Sequence, residues 1–390
     1  MEPSLIELRT YSLANGGSAV GRHEHRAVFV RGALPGEAVR ARVVQDKGSY
    51  WHADLVEVLE ASPHRRPSLC PITEQEDSGC CDLAFLDPHA ALELKGRVVA
   101  EQLARLGKVA WEGCAEVLGE PTRWRTRVRL AVDQAGRAGF HRYHSKELVS
   151  DLACPQPVAG ALDGLQKLRL PAGAEVFVVV DDEGARHVQL ADRTRGRRNL
   201  EGPGIATQRV GERVWRVPVQ AFWQPHRDAA RRYTELVAQW VGEAPGAVAW
   251  DLYGGAGLFA AVLARAVGPT GRVFTVDSAG ASSRAAAASL KDLRHVEVLS
   301  GPTGKLLAGL PSAQVAVVDP PRAGAGRAVI AALARTERVI HIGCEAAAFS
   351  RDVGLYVQQG YAVREIRVFD AFPLTHHVEC LALLERVNAP

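Results

Sequence analysis

From about Gln224 onward the chain alternates short apolar runs with helical segments, and this rhythm limits the fold more than any other feature. AVAWDLYGG reads as a buried strand and LFAAVLARAV as a helix. RVFTVD and SSRAAAASLKDL repeat the pair. Strand HVEVLSG, strand QVAVVDPP, helix GRAVIAALART, strand VIHIGC and helix AAAFSRDVGLYVQQ follow. Such alternation predicts a parallel sheet with helices on both faces. YAVREIRVFDAF and HHVECLALLER close the chain and are expected to add an antiparallel pair.

In sheets of this kind ligands bind beyond the carboxyl ends of the strands, so the residues after each strand carry the functional information. Asp251-Leu-Tyr-Gly-Gly-Ala-Gly257 follows the first strand. Its glycines allow a tight turn and close approach of a ligand, but the spacing is not the GxGxxG of a dinucleotide site. Asp277 ends the second strand, where an acid can accept hydrogen bonds from ribose hydroxyls. No Walker-type lysine loop is present. Together these features point to a nucleoside ligand, NAD or S-adenosylmethionine; a plain strand-to-helix turn and a surface acid is the alternative. Asp319-Pro-Pro-Arg ends the fourth strand, and two fixed φ angles hold Asp319 at the strand tip. Cys344 ends the fifth strand and is expected to open a helix, whose N-terminus favours a thiolate. A buried structural cysteine is the competing reading. Glu379 stands before an apolar run, where desolvation would raise its pKa and suit it to proton transfer. His376 and His377 beside it are partners or surface residues.

The first half reads differently. ELRTYSLA, AVFVRGA, EAVRARVVQ and HADLVEVLE, split by NGG, LPGE and DKGS, predict a small barrel or sandwich. A cysteine-bearing segment follows, then an amphipathic helix in DPHAALELKGRVVAEQLARLG, with Leu92, Leu94, Val98, Val99, Leu103 and Leu106 near one face. The stretch from about Trp124 to Val219 is β-rich again. On a strand, Arg123, Arg125, Arg127 and Arg129 would share one face, either solvated or contacting phosphates. DRTRGRR at Asp192–Arg198 tips the balance toward nucleic acid. The net charge of +3 permits such a partner without requiring one. No apolar run reaches eighteen residues, and MEPSLIELRT has no apolar h-region, so neither a membrane span nor a secretory signal is expected, and the location is cytoplasmic by default. Seven cysteines in such a chain argue against a disulfide framework and toward metal binding or catalysis.

DLYGGAGLFA, VVDPPRAG, HIGCEAAAFSRD and FPLTHHVECLALL, in this order and with QAFWQPH ahead of them, resemble the RNA uracil-C5 methyltransferases that make 5-methyluridine. The N-terminal β-module resembles that family's TRAM domain, an RNA-binding barrel. The resemblance implies a multidomain α/β fold: an OB-like TRAM barrel over 1–62, a central β-rich domain with a cysteine cluster over 63–215, and a Rossmann-like class I methyltransferase domain over 216–390. It implies Cys344 as the nucleophile that adds to C6 of uracil and Glu379 as the base that removes the C5 proton. It also implies Gln224, Tyr253, Asp277 and Asp319 as the S-adenosylmethionine site, with Asp319 also placed to hold the uracil edge. The partner would be tRNA or rRNA with its target base unstacked, and the protein a monomer.

The family often carries an iron–sulfur cluster on four cysteines, three of them in a CP…CGGC arrangement. Cys70-Pro71, Cys81 and Cys154-Pro155 match the first, third and fourth positions, while Ser78 occupies the second and Cys80 stands two residues later. The resemblance implies a [4Fe–4S] cluster on Cys70, Cys80, Cys81 and Cys154 rather than zinc; a degenerate, metal-free site is the alternative. A vicinal Cys80–Cys81 disulfide is strained and out of place in a reducing compartment. Cys114 and Cys380 have no matched role. Three departures from the family pattern stand out: Glu345-Ala346 after the cysteine in place of Asn-Pro or Asp-Pro, Gly254 in the glycine turn where the family often has Cys, and PTGK after HVEVLSG without an acid. Rival readings are a non-catalytic RNA-binding protein on the same fold, a methyltransferase for another nucleobase or a small molecule, and an NAD oxidoreductase. Retention of Cys344 and Glu379, the arginine runs and the absent GxGxxG argue against them in turn.

Overall fold

The computed structural model describes residues 4–387; the first three residues of the stretch MEPSLIELRT lie outside them. Strands β1 (Leu5–Leu13), β2 (Ala19–His23), β3 (Arg26–Arg31), β4 (Ala38–Asp46) and β5 (Tyr50–Glu60) close a barrel in the order β1-β2-β3-β5-β4. Period-two patterning drives closure: Ile6, Leu8, Val28, Val30, Val39 and Ala41 face inward, while their strand neighbours stay in solvent. The β1–β2 connection is the Asn15-Gly16-Gly17 turn.

Helix α1 (Pro71–Glu76) carries the start of the cysteine segment, and α2 (Pro88–Gln102) follows. The Asp87 side chain accepts hydrogen bonds from the backbone N–H groups of His89 and Ala90, and Pro88 occupies the first turn, so α2 starts where capping chemistry dictates. The helix ends in a π turn over Leu103–Gly107. That extra residue per turn rotates the register, and Leu106, expected on the apolar face, is instead 38% exposed.

Strand β6 (Glu116–Val117) leaves this region to pair elsewhere. A six-stranded sheet follows, built from β7 (Arg127–Val132), β8 (Ala138–His141), β9 (Leu148–Val149), β10 (Glu175–Val180), β11 (Arg186–Asp192) and β12 (Gly196–Glu201), with the hairpin β13 (Ile205–Val210) and β14 (Arg213–Pro218) after it. The four alternating arginines do not share a face. Only Arg127 and Arg129 lie on β7, because the strand begins at Arg127. Arg125 donates to Gln156 Oε1 and to the Arg127 carbonyl. One guanidinium nitrogen of Arg127 serves the carbonyls of Pro218, Val219 and Ala221. Two of the four therefore act as internal struts.

The remaining elements are α3 (Ala229–Val241), β15 (Val248–Leu252), α4 (Leu258–Val267), β16 (Arg272–Asp277), α5 (Gly280–Ser289), β17 (Val296–Ser300), α6 (Thr303–Leu306), β18 (Val315–Val318), α7 (Gly326–Ala332), β19 (Arg338–Gly343), α8 (Ala346–Gln358), β20 (Tyr361–Asp370) and β21 (Glu379–Arg386). The sheet order is β17-β16-β15-β18-β19-β21-β20-β6. Its first five strands are parallel, and β21 runs antiparallel to both β19 and β20, giving the closing pair the sequence predicts. Two apolar cores cover its faces, one beneath α3, α4 and α5, the other beneath α2, α7 and α8. Among the described residues no helix is long and apolar enough to cross a membrane.

Candidate active site

The strand order reverses between β15 and β18, and the site lies there, as expected for an open α/β sheet. After β15 the chain turns through Tyr253, which has a φ of +61°, into the glycine turn. A Cβ on Gly254 would collide with Thr275 Oγ1 and Asp251 Oδ2, so no side chain fits at that position. Asp251 is fully buried beneath it, accepting from Thr275 Oγ1 and from the Ala260 amide. Asp277, at the tip of β16, accepts from the amides of Gly255 (3.0 Å) and Ala279 (2.6 Å). Its carboxylate thus fixes the glycine turn as well as facing the ligand edge. Gln224, Tyr253 and Asp319 line one small cleft with Phe222, Trp223 and Gly255. Asp277 reaches that cleft through its bond to Gly255. Burial pushes the Asp319 carboxyl up to about 7, and the charges of Asp251 and Asp277 push the same way.

Cys344 and Glu379 come from neighbouring antiparallel strands. The register of β19 and β21 pairs Gly343 with Cys380, which brings Cys344, just past β19, and Glu379, at the start of β21, to the same end of the sheet, close enough for the Glu379 charge to act on the thiol. Asp319, one strand over, faces both. Burial raises the Glu379 carboxyl well above its usual range, with Asp319 adding to the effect. Burial likewise pushes the Cys344 thiol up to about 12; the charges of Glu379 and Asp319 add to this, and Arg322 opposes it. A backbone N–H works to lower it, but burial prevails, so the net shift runs against the lowering expected of a helix N-terminus. Cys344 precedes α8 by one residue, and Glu345 is the N-cap, accepting from the amides of Ala347 (3.3 Å) and Ala348 (2.7 Å). The helix donors are spent on that carboxylate, not on the thiol. Glu345 also accepts from Asn15 Nδ2 of the barrel turn at 2.6 Å.

The cysteine segment lies close by. The sulfurs of Cys70, Cys80, Cys81 and Cys154 all fall within 4.8 Å of one another. Cys70 and Cys80 stand 3.7 Å apart, Cys81 and Cys154 3.8 Å apart. Cys80 therefore fills the place that its two-residue shift called into question, and the Ser78 hydroxyl donates to its sulfur at 3.2 Å. Four converging thiols suit a soft metal group. A single tetrahedral ion with bonds of about 2.3 Å needs sulfurs roughly 3.8 Å apart, while a cubane cluster needs them wider. Ile72, Ala84 and Leu374 pack around the sulfurs, and Leu374 belongs to the loop that leads to Glu379.

Two features near the site escape sequence reasoning. Asp82 binds His376 across 294 residues of sequence. On the barrel Phe29, Tyr50 and His52 cluster on one face, while Trp51, on the other face of β5, packs toward the barrel core with Arg26 4.9 Å above its ring. The first has no local signal, and the second is spread over separate strands.

Residues 309–387 match the tRNA (Uracil-5-)-methyltransferase family and residues 5–56 the TRAM domain. An uncharacterized RNA methyltransferase of Corynebacterium glutamicum is 39% identical over 98% of this chain and 97% of its own length. The 23S rRNA (uracil(1939)-C(5))-methyltransferase of Pseudomonas putida is 29% identical over 96% of this chain and 92% of its own. Among solved structures, the Pyrococcus abyssi tRNA (uracil-54, C5)-methyltransferase in complex with S-adenosyl-L-homocysteine aligns with a TM-score of 0.71 at 18% identity, covering 97% of this chain and 99% of that one. The likeness extends to the whole fold.

Proposed function

The chain belongs to the S-adenosylmethionine-dependent RNA uracil-C5 methyltransferases, and from that premise we propose that it methylates a uridine of structured tRNA or rRNA through a covalent adduct on Cys344. The observation that supports this reading is the β19–β21 pairing of Gly343 with Cys380, which brings the adjoining Cys344 and Glu379 to the end of the sheet where Asp319 lines the cleft. C5 of uracil is a weak nucleophile. Addition of the Cys344 sulfur to C6 places electron density on C5, which takes the methyl group and releases S-adenosylhomocysteine. Glu379 then removes the C5 proton, the C5–C6 double bond re-forms, and the thiolate leaves. The environment suits this sequence: a desolvated carboxyl is a stronger base than one in water, and it sits one strand from the sulfur.

Gln224, Tyr253, Asp277 and Asp319 would hold S-adenosylmethionine, with Asp277 on the ribose and Asp319 facing both cofactor and uracil edge. The barrel's cluster of Phe29, Tyr50 and His52 suits stacking of unpaired bases, and the free arginines of the β11–β12 turn suit phosphates. The protein would work as a cytoplasmic monomer. RNA containing 5-fluorouracil tests the chemistry, because fluorine cannot leave as a proton. With S-adenosylmethionine present, a stable protein–RNA adduct should form and Cys344→Ala should abolish it. No adduct and no new 5-methyluridine in tRNA or rRNA would reject the reading. Nucleoside mapping of RNA from cells lacking the gene would identify the substrate.

Cys70, Cys80, Cys81 and Cys154 would hold a thiolate-bound metal group. A [4Fe–4S] cluster is the family expectation, and a single tetrahedral ion is the other group that four converging thiols suit. Methyl transfer consumes no electron, so either group would serve as architecture. Iron, sulfide and zinc analysis of anaerobically purified protein separates the two.

A further inference from the structure

Glu379 is presented by the loop 371–378, and residues of the cysteine segment and of α2 grip this loop at three points. Lys95 Nζ donates to the Phe372 carbonyl at 3.3 Å while paired with Asp370 at 2.6 Å, both charges buried. The Leu83 amide donates to the Leu374 carbonyl at 3.0 Å, and Leu374 holds a φ of +67°, a conformation that a leucine adopts only when its surroundings impose it. Asp82 takes the third point with both oxygens: Oδ1 accepts from the His376 amide at 3.1 Å, and Oδ2 accepts from His376 Nδ1. That last bond fixes the tautomer, since a carboxylate needs a proton on Nδ1.

The barrel turn closes over this pair. Gly17, at φ +84°, has no room for a side chain: a Cβ there would stand 2.9 Å from Asp82 Oδ2 and 3.0 Å from His376 Cβ. Within the loop, Thr375 Oγ1 donates to the Phe372 carbonyl and accepts from the His377 amide. The backbone from Phe372 to His377 is therefore held by named bonds, and two residues later it enters β21 as Glu379.

We propose that Asp82 is a positioning residue for proton removal. Through His376 it fixes the backbone that aims the Glu379 carboxylate at the C5 proton. Cys344 is carried by β19 and does not depend on this loop, so addition to C6 and methyl transfer proceed without Asp82, and release of the product does not. The inference rests on the reading of Glu379 as the base. A misaimed base costs rate without removing the group, by as much as roughly a hundredfold for a displacement of about 1 Å.

The test uses the full protein with ordinary uridine-containing RNA and S-adenosylmethionine. Single-turnover methyl transfer is measured beside the amount and lifetime of the covalent protein–RNA adduct on denaturing gels. Asp82→Ala and His376→Ala should both methylate within roughly threefold of wild type and then stall. The Asp82→Ala adduct should outlive the wild-type adduct by roughly tenfold or more and the His376→Ala adduct by at least roughly threefold, with Asp82→Asn also in between, because the last two keep the bond to the backbone amide of residue 376. His376→Ala leaves the cysteine segment untouched and decides the matter alone if Asp82→Ala fails to fold. An adduct lifetime equal to wild type, or a parallel loss of methylation and adduct, would overturn the inference. Glu379→Gln is the reference. If it fails to accumulate adduct, the base assignment itself falls; if it accumulates while the Asp82 and His376 variants do not, only the positioning role falls.

Discussion

A thiol pushed up to about 12 is protonated at neutral pH, and this single residue dictates how activity should respond to pH. Cys344 must lose its proton to attack C6. For groups whose pKa lies above the working pH, the reactive fraction grows as pH rises. The second-order rate of adduct formation with 5-fluorouracil RNA should therefore climb across pH 7–9, approaching tenfold per unit. A plateau already reached at pH 7 would show that substrate or Arg322 brings the thiol into range. At this scale the sequence was informative about which residues stand at strand tips, because buried strands have legible ends. It misled about Cys344 because capping is decided by one position: Glu345 sits between the thiol and α8 and takes the free amides. The bond from Asp82 to His376 was invisible, since nothing local to either residue signals the other.

Among elements, the two arginine runs separate into different kinds. Arg127 is an internal strut, with burial lowering its pKa to about 10 and one nitrogen serving three carbonyls. Arg127→Met should cost about 3 kcal/mol in urea titration, since those carbonyls lose their donor, with RNA affinity otherwise unchanged. Arg193, Arg195, Arg197 and Arg198 are exposed and make no ion pair among the described residues. Replacing all four by Ala should leave stability within about 0.5 kcal/mol. It should weaken RNA binding and flatten the salt dependence by roughly 0.7–0.9 for each phosphate left without its arginine. An unchanged slope would make the turn a solvated face. Alternating residue types implied a strand from Arg123, but β7 starts only at Arg127, because Arg125 is drawn off to Gln156. β6 went unseen, since two residues carry no periodicity and their partner β20 is far along the chain.

At the level of the whole molecule, the parts are tied by a few polar bonds at the centre. Arg31 of the barrel binds Asp54 and Asp77, and Tyr143 of the central region stacks beneath it at 4.5 Å. Asn15 meets Glu345, and Lys95 meets Asp370. The four thiols sit inside this junction with Leu374 against them. Stripping the metal group proposed for these thiols should lower the thermal midpoint of purified protein by roughly 5 °C or more and open residues 371–378 to protease, since binding free energy of such sites is folding free energy. Identical melting and cleavage before and after removal would mean the thiols stabilise nothing. The class of each part was legible from patterning, whereas their junction was not, because it is made of side chains from segments that only the folded chain brings together.

The same junction sets a timetable. Asp82 leaves the ribosome 294 residues before His376, which at about 5–20 residues per second is some tens of seconds. During that wait the barrel and cysteine segment can fold, but the loop they will grip does not yet exist. Whatever depends on the grip of Asp82 on residues 371–378 can therefore form only after the barrel and the cysteine segment have had time to fold.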